Sequence, residues 1–583
     1  MENIIWQCLL YLSLLTALAW PLGKYIGKVM DGEPFWLQRA LAPCERALYR
    51  LMGVDPAEQM GWKCYLACVI AFSAVSLVAL TALLMAQHLL PLNPRNVSGA
   101  SWHLALNTAI SFVTNTNWQS YAGESTMSYL SQMAGLTVQN FVSAAVGIAV
   151  LFALIRGVRA SGGIGLGNFW ADATRAVLYI LLPLSLVMSL LLIEQGVPQN
   201  FTDYRAAALL EPLAAEDGAP ITHQLVPMGP QASQVSPKQL GTNGGGFNGV
   251  NSAHPHENPT PASNMLEMLA LLLIPAALCF TFGAKIGDMR QGVAIFAAMF
   301  ILLTSAVSFT VQAELNATPQ IAQGGQVLVA PQSGLQGQAG GNMEGKETRF
   351  GIAGSALWAS ATTAVSNGSV NAMHDSFTPL GGMIPMVLMQ LGEVIFGGVG
   401  SGLYGMLAFV LLTVFLAGLM VGRTPEYLGK KIEPFEMKMA VVVCLTTPVV
   451  ILAGGGLMCL APQIVDSLNN PLPHGFSEIL YAATSAGANN GSAFAGLNAD
   501  TPFLNVLLGV LMLAGRFAPI AAILAMADGL AGKKTCPPGA GTLSTCNGLF
   551  IFLLIFVILL VGALSFFPAL ALGPLAEHLQ MTR

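Results

Sequence analysis

Thr242-Asn243-Gly244-Gly245-Gly246 is a polar, glycine-rich stretch that follows a mildly amphipathic segment and lies between strongly apolar runs. Thr114-Asn115-Thr116-Asn117-Trp118-Gln119, Ser366-Asn367-Gly368-Ser369 and Asn489-Asn490-Gly491-Ser492 occupy the same kind of place. With Asn115, Asn243, Asn367 and Asn490 taken as equivalent, the separations are 128, 124 and 123 residues. A near-constant period that holds two apolar runs and one loop is an internal repeat. A single Asn-Gly pair is an ordinary turn; four in register predict a structural unit used four times.

The apolar runs say where those units sit. Of 583 residues, 54% are apolar and 9% charged, against about 25% charged in a soluble domain. This is the composition of a polytopic membrane protein whose principal surroundings are the lipid bilayer. With 24 basic and 29 acidic residues, nothing favours nucleic acid as a partner. Runs long enough to span, about 20 residues each, fall at 3–22, 65–90, 132–155, 176–195, 264–284, 291–312, 380–421, 439–461, 503–530 and 548–572. The run 380–421 is too long for one crossing, and its centre, Gly397-Gly398-Val399-Gly400-Ser401-Gly402, is poor helix. It is predicted to break inside the membrane. The nine cysteines lack metal-ligand spacing and read as small buried hydrophobes.

Charge sets the expected orientation. Met1-Glu2-Asn3 carries no base, whereas Lys24 and Lys28 follow the first run, so that run is read as a retained helix with its N-terminus outside. Lys24, Lys28, Arg39, Arg46, Arg50, Lys63, Arg156, Arg159, Arg175, Lys285, Arg290, Arg423, Lys430, Lys431, Lys438, Lys533 and Lys534 then fall inside. Only Arg95, Arg205, Lys238, Lys346, Arg349 and Arg583 fall outside, and Arg516 lies within a span. The positive-inside rule therefore puts both termini on the outer side and all four Asn-containing loops with them.

Each loop is followed by an acid and a threonine near the next helix: Glu124 with Thr126, Glu257 with Thr260, Asp375 with Thr378, and Asp500 with Thr501. These suit N-capping and compensation of the helix dipole, and are compatible with a ring of acids around an outer vestibule. Four loops turned about one axis would meet, and glycine there permits backbone that aims successive carbonyls at one point. Glu393 lies 26 residues after Asn367, and Arg516 lies 26 after Asn490. The repeat places this acid and this base at equal depth below the loops, where they are expected to pair.

At these residues the sequence resembles the potassium-binding, channel-like subunit of the bacterial Kdp potassium-transporting ATPases. The likeness runs through Thr114–Glu124, Gly241–Thr260, Val365–Asn371 and Ala488–Leu497, with Asn251-Ser252-Ala253-His254-Pro255 and Gly515-Arg516-Phe517-Ala518-Pro519-Ile520. A single Phe247 follows the glycines where the family often shows two. The family is similar to the potassium channel and Trk/Ktr superfamily. The resemblance implies an all-α fold of ten transmembrane helices, with four pore-loop repeats around one pore and one extra helix at each end. The divisions are 1–61 for the first helix and inner loop, 62–160, 172–286, 290–423 and 438–530 for the repeats, and 531–583 for the last inner loop and helix.

The resemblance also implies roles. A selectivity filter would comprise Asn115, Thr116, Asn117 and Gln119; Thr242, Asn243, Gly244 and Gly245; Val365, Ser366, Asn367 and Gly368; and Asn489, Asn490, Gly491 and Ser492. Gln119, Gly244, Gly368 and Gly491 match positions tied to selectivity, and Asn and Gln side chains would supplement carbonyls where the first loop lacks glycine. Glu393, Gly397, Gly398, Gly400, Gly402 and Arg516 would gate or couple. The ion is K+, with no organic cofactor, and the site is the bacterial plasma (inner) membrane. ATP would be used only by a P-type ATPase catalytic subunit, with small accessory membrane subunits in the same complex.

The residues agree that energy comes from elsewhere. Gly532-Lys533-Lys534-Thr535 fails as a phosphate loop, and no phosphorylatable Asp-Lys-Thr-Gly-Thr occurs. Concentrating an ion 10⁴-fold costs about 5.5 kcal/mol, and about 2.3 kcal/mol more or less per 100 mV. Alternatives are an independent K+ channel or cation symporter, and a membrane scaffold, which would need no glycine in the loops. His254-Pro255-His256-Glu257 is a poor chelate and reads as outer-loop packing, and no nucleophile elbow accompanies the scattered Ser, His and Asp.

Overall fold

The computed structural model describes residues 2–163, 165–214, 218–316, 341–422, 425–537 and 542–581; Met1, Arg423 and Arg583 lie outside them. Among the described residues, 10 helices are long and apolar enough to cross a membrane: Ile5–Asp31, Trp62–Met85, Ser131–Arg159, Phe169–Glu194, Pro261–Lys285, Met289–Asn316, Ser401–Met420, Pro434–Leu460, Pro502–Ala531 and Gly548–Met581. Each expected run overlaps one of them. The remainder is short helix, loop, an exposed antiparallel hairpin (Arg205–Ala214 with Pro220–Val226) and a two-residue pairing of Glu426–Tyr427 with Lys430–Lys431.

The seventh run is broken as expected, slightly earlier than its glycine content indicated. A helix at Pro379–Gln390 ends, irregular backbone fills 391–400, and helix resumes at Ser401. Gly392, Gly397 and Gly400 take positive φ, as do Glu393 (50°) and Phe396 (66°). Left-handed backbone at that density cannot propagate a right-handed helix. Gly402 is already helical, its N–H donating to Gly398 O at 3.0 Å.

Three of the four threonines cap helices. Thr260, Thr378 and Thr501 accept from the N–H groups of Ser263, Gly381 and Leu504, and each precedes a proline at the first helical position. Thr126 does not: the third span is capped by Ser128, whose Oγ accepts from Ser131 N at 3.2 Å. The threonine at 126 fails because another short turn, Gly123–Thr126, intervenes.

The third, fifth and seventh spans are mostly enclosed by protein, while the first, second and tenth present most of their apolar surface outward, as a lipid-facing shell must. Contact between spans is close. A Cβ on Gly23 would lie 2.5 Å from Ala277 O, and one on Gly157 would lie 2.4 Å from Ala527 O. Small residues at such crossings let dispersion forces act over whole helices. The cysteines are all unpaired, but only Cys279 and Cys444 are buried; Cys44, Cys64, Cys459 and Cys536 are exposed. The expected burial therefore fails for those four; Cys44 and Cys536 lie in the segments between spans.

Three bases expected in outer loops are drawn into the protein. Lys238 Nζ contacts Glu257 Oε2 at 2.5 Å, and Lys346 Nζ contacts Glu314 Oε2 at 2.7 Å, with all four side chains fully buried. Arg349 donates to Ala253 O at 2.8 Å and to Asn258 O. Removing one member of a buried pair strands the other charge, which costs about 3–5 kcal/mol. Lys238→Met should therefore destabilise the chain by about that amount, with Lys238→Met/Glu257→Gln recovering part of the loss. Thermal unfolding in detergent measures both; an unchanged transition in the single variant would contradict the pairing.

Candidate functional site

Four short helices, Trp102–Val113, Ala232–Leu240, Gly351–Ala364 and Leu472–Ala488, each run directly into one of the Asn-containing loops. The same turn closes each. Thr116 N donates to Ser111 O, Asn243 N to Lys238 O, Asn367 N to Thr362 O and Asn490 N to Ser485 O, at 2.8–3.0 Å. This corrects the register read from sequence: Thr116, not Asn115, is the counterpart of the other three asparagines. Asn115 instead matches Thr242, Ser366 and Asn489, which take φ of 64°, 52°, 58° and 63° in chain order. Two residues further on, Asn117 (57°), Gly244 (92°) and Gly491 (105°) are left-handed again. The first loop thus places asparagine, a non-glycine residue tolerant of that region, where the second and fourth place glycine; Gly368, the third loop's counterpart, is not left-handed.

The loops touch in closed order. Asn115 Nδ2 donates to Thr242 O at 2.9 Å, Gly368 N to Asn243 O at 3.3 Å, Ser366 Oγ to Asn489 O at 2.8 Å, and Asn489 Nδ2 to Thr116 Oγ1 at 2.9 Å. The glycines follow the same order. A Cβ on Gly244 would lie 2.1 Å from Gly368 N, one on Gly368 2.7 Å from Gly491 C, and one on Gly491 2.0 Å from Thr116 O. Gly245 packs against Phe112 and Asn117, and Val365 is the buried C-cap of the third short helix.

The amide side chains are largely struts. Gln119 Nε2 donates to Gly246 O and Gly246 N donates to Gln119 Oε1, both at 2.9 Å. Asn367 Nδ2 donates to Lys238 O at 3.3 Å, Asn490 Nδ2 donates to Thr362 O at 3.2 Å, and Ser492 Oγ donates to Asn490 Oδ1 at 2.6 Å. These bonds occupy the amides of Gln119, Asn367 and Asn490, whereas Asn117 Oδ1 is buried without a hydrogen-bond partner among the described residues. Phe247, alone where two residues were expected, is fully buried and lies 6.2 Å from the Tyr129 ring.

A cavity of about 380 Å³ opens above the ring, with Asn117, Gln119, Gly244, Gly368 and Gly491 in its wall. The expected ring of acids is absent from that wall. Glu257 is spent on Lys238 and Asn248, Glu124 accepts from Gly249 N, and Asp375 accepts from Gly496 N and His474. Glu347 is the acid that lines the cavity. His374 also lines it; burial, then the nearby Lys346 charge, pushes its imidazole down to about 3, so it stands neutral. Its Nδ1 meets Tyr481 OH at 2.9 Å, which meets Ser492 Oγ at 2.8 Å, a chain from the cavity to the fourth loop that sequence reading missed.

Beneath the ring lies the irregular segment 391–400. Val399 N donates to Thr242 Oγ1 at 2.9 Å and Gly397 N to Ala364 O at 3.0 Å. Gly398 is close to Ser366, and Gly400 packs on Gly147 O of the third span. A small cavity of about 50 Å³ under the loops is lined by Ser366, Asn489, Glu393 and Arg516. The shared depth of Glu393 and Arg516 is as expected, but no ion pair joins them among the described residues. Arg516 Nη2 reaches across to Ser143 O at 3.3 Å, and Glu393 Oε1 has no partner. The left-handed turn at Glu393 gives its side chain a direction that helical spacing alone did not anticipate.

Comparison with known proteins adds a lineage to this geometry. The family model described as "Potassium-transporting ATPase A subunit" matches residues 9–579. Curated relatives named potassium-transporting ATPase potassium-binding subunit include one from Clostridium perfringens, 63% identical, and one from Clostridium botulinum (strain Eklund 17B / Type B), 62% identical, each covering 100% of both chains. Among solved structures, the potassium transporter TrkH from Vibrio parahaemolyticus matches with a TM-score of 0.52 at 15% identity, over 87% of this chain and 97% of that one. That likeness speaks for the fold. On the family match and on identity along its whole length, this chain belongs to the potassium-transporting ATPase A subunit family, as a non-catalytic, multi-pass membrane subunit.

Proposed function

We propose that this chain is the K+-selective, channel-like subunit of an ATP-driven uptake pump. It takes K+ from the outer side at a filter formed by the four loops and delivers it to a partner P-type ATPase subunit, with small accessory membrane subunits alongside. The observation that carries this reading is the closed order of contacts through Asn115, Thr242, Gly368, Asn489 and Thr116, with Gly244, Gly368 and Gly491 each packed so closely on the neighbouring loop that a Cβ has no room. A carbonyl-lined filter needs such rigidity and positive φ. The relatives' name, potassium-binding subunit, agrees with it.

In this reading the repeats are 62–160, 172–286, 290–423 and 438–530, flanked by 1–61 and 531–583. The membrane is the bacterial plasma (inner) membrane, with both termini outside. The segment 391–400, with Gly397, Gly398 and Gly400, is the inner gate; Gly402 anchors its far end, since a Cβ there would strike Phe396 O. Arg516 is an electrostatic brake beneath the filter: a fixed positive charge in a narrow, low-dielectric passage opposes free K+ flow.

The decisive test is K+ or Rb+ uptake in proteoliposomes with and without the ATPase subunit. ATP-dependent uptake only in the assembled complex is the expected result; full uptake by this chain alone would make it an independent channel or symporter. Gly244→Ala, Gly368→Ala and Gly491→Ala should each weaken discrimination of K+ from Rb+ or NH4+ by about tenfold, equivalent to about 1.4 kcal/mol. Wild-type ion competition in all three would remove the filter assignment.

Arg516→Gln or Arg516→Met should promote ATP-independent leak or uncouple transport from hydrolysis. Vesicle flux without ATP reads this directly, and tight coupling with no leak would discard the brake. Glu393→Gln should disturb coupling less predictably, since no ion pair joins Glu393 to Arg516 among the described residues and Glu393 Oε1 is unpartnered.

A further inference from the structure

Away from the loop ring, Asp375, His474 and Glu478 come from two distant stretches of chain, and one ligand atom of each lies within 4.8 Å of the others. Asp375 sits in the turn after the third loop, and His474 and Glu478 lie on the fourth short helix. The histidine is oriented from behind. Its Nδ1 meets Glu577 Oε1 at 2.8 Å, which leaves Nε2 facing Asp375 Oδ1, also at 2.8 Å. Metal-binding histidines characteristically use one ring nitrogen on a carboxylate in this way and turn the other to the ion.

The two carboxylates are held from outside as well. Gly496 N donates to Asp375 Oδ2 and Asn470 Nδ2 donates to Glu478 Oε1, both at 2.7 Å. Glu478 is fully buried, and its Oε2 has no hydrogen-bond partner. A buried, unpartnered carboxylate oxygen is costly unless something cationic takes it. A Cβ on Gly496 would fall 1.8 Å from Glu478 Oε1 and 2.7 Å from Asp375 Oδ2, so the glycine makes room for the two acids to converge.

We propose that Asp375, His474 and Glu478 form a binding site for a divalent transition-metal cation, Zn2+ being the best fit to one imidazole and two carboxylates, with Glu577 as the carboxylate that positions His474. The ion would bind when His474 gives up its Nε2 proton to solvent. It would tie the segment after the third loop and the fourth short helix to the chain's last helix through Glu577. The site neighbours the fourth loop: the His474 ring stacks on Phe494 at 6.1 Å, Phe494 stacks on Tyr481 at 4.1 Å, and Tyr481 meets Ser492. It is separate from K+ binding and stands whether or not the filter reading holds.

The test is calorimetric titration of the full-length chain, purified in detergent and stripped with chelator, with Zn2+ alone. One saturable site per chain is expected, weakened at least tenfold in Glu478→Gln and His474→Gln. Glu577→Gln should weaken it about 10–100-fold without changing the stoichiometry. No saturable site in the wild type would overturn the proposal, leaving a histidine-centred ion-pair cluster. So would a site of unchanged affinity in Asp375→Asn and Glu478→Gln, which would assign the metal to His254 and His256 or elsewhere. Should the variants fail to fold, the Zn K-edge absorption spectrum of the wild-type chain decides: a nitrogen and oxygen shell supports the site, and sulfur ligands would assign the ion to the free cysteines.

Discussion

Backbone buried away from water must find partners for its N–H and C=O groups within the protein. The four Asn-containing loops meet this constraint through one another and through the ends of the short helices that precede them. Each loop donates one bond to the carbonyl of the fifth residue upstream and makes others with its neighbour in the ring. This is why the asparagines are there. Their amides bridge from one loop to the short helix before the preceding loop, as Asn367 does to Lys238 O and Asn490 to Thr362 O. A ring built this way is stiff because no member can move without stranding a polar group.

Charge obeys the same constraint with larger penalties. Lys238 with Glu257 and Lys346 with Glu314 are buried pairs that brace the second loop and the turn after the third. Lys430 makes no ion pair among the described residues; its Nζ donates to Gly157 O, Ala160 O and Leu530 O, the carbonyl ends of the third and ninth spans. A cation there satisfies orphan carbonyls and the negative helix ends together. Glu393 and Arg516 are the contrast. They share a small cavity without an ion pair among the described residues, and Glu393 Oε1 is left without a hydrogen-bond partner. Both lie at the irregular segment 391–400, where Gly392, Glu393, Phe396, Gly397 and Gly400 take positive φ.

Much of the architecture follows from composition and order. Ten apolar runs of spanning length, a period near 124 residues in the asparagines, and glycines in the seventh run each impose a local consequence that no distant residue can cancel. A run of twenty apolar residues must hide its backbone in a helix, and a Gly-rich stretch interrupts one. Threonine before proline at 260, 378 and 501 starts a helix for the same local reason. The side chains' partners are another matter. Whether Asn115 or Thr116 matches Asn243 is settled by which N–H reaches back to Ser111. That Gln119 is a strut, and that Asp375, His474 and Glu577 meet, depend on contacts between residues about a hundred or more positions apart. Spacing along the chain sets depth and helix face, but a buried polar atom chooses the nearest satisfying partner in three dimensions, and only the packed structure decides which that is.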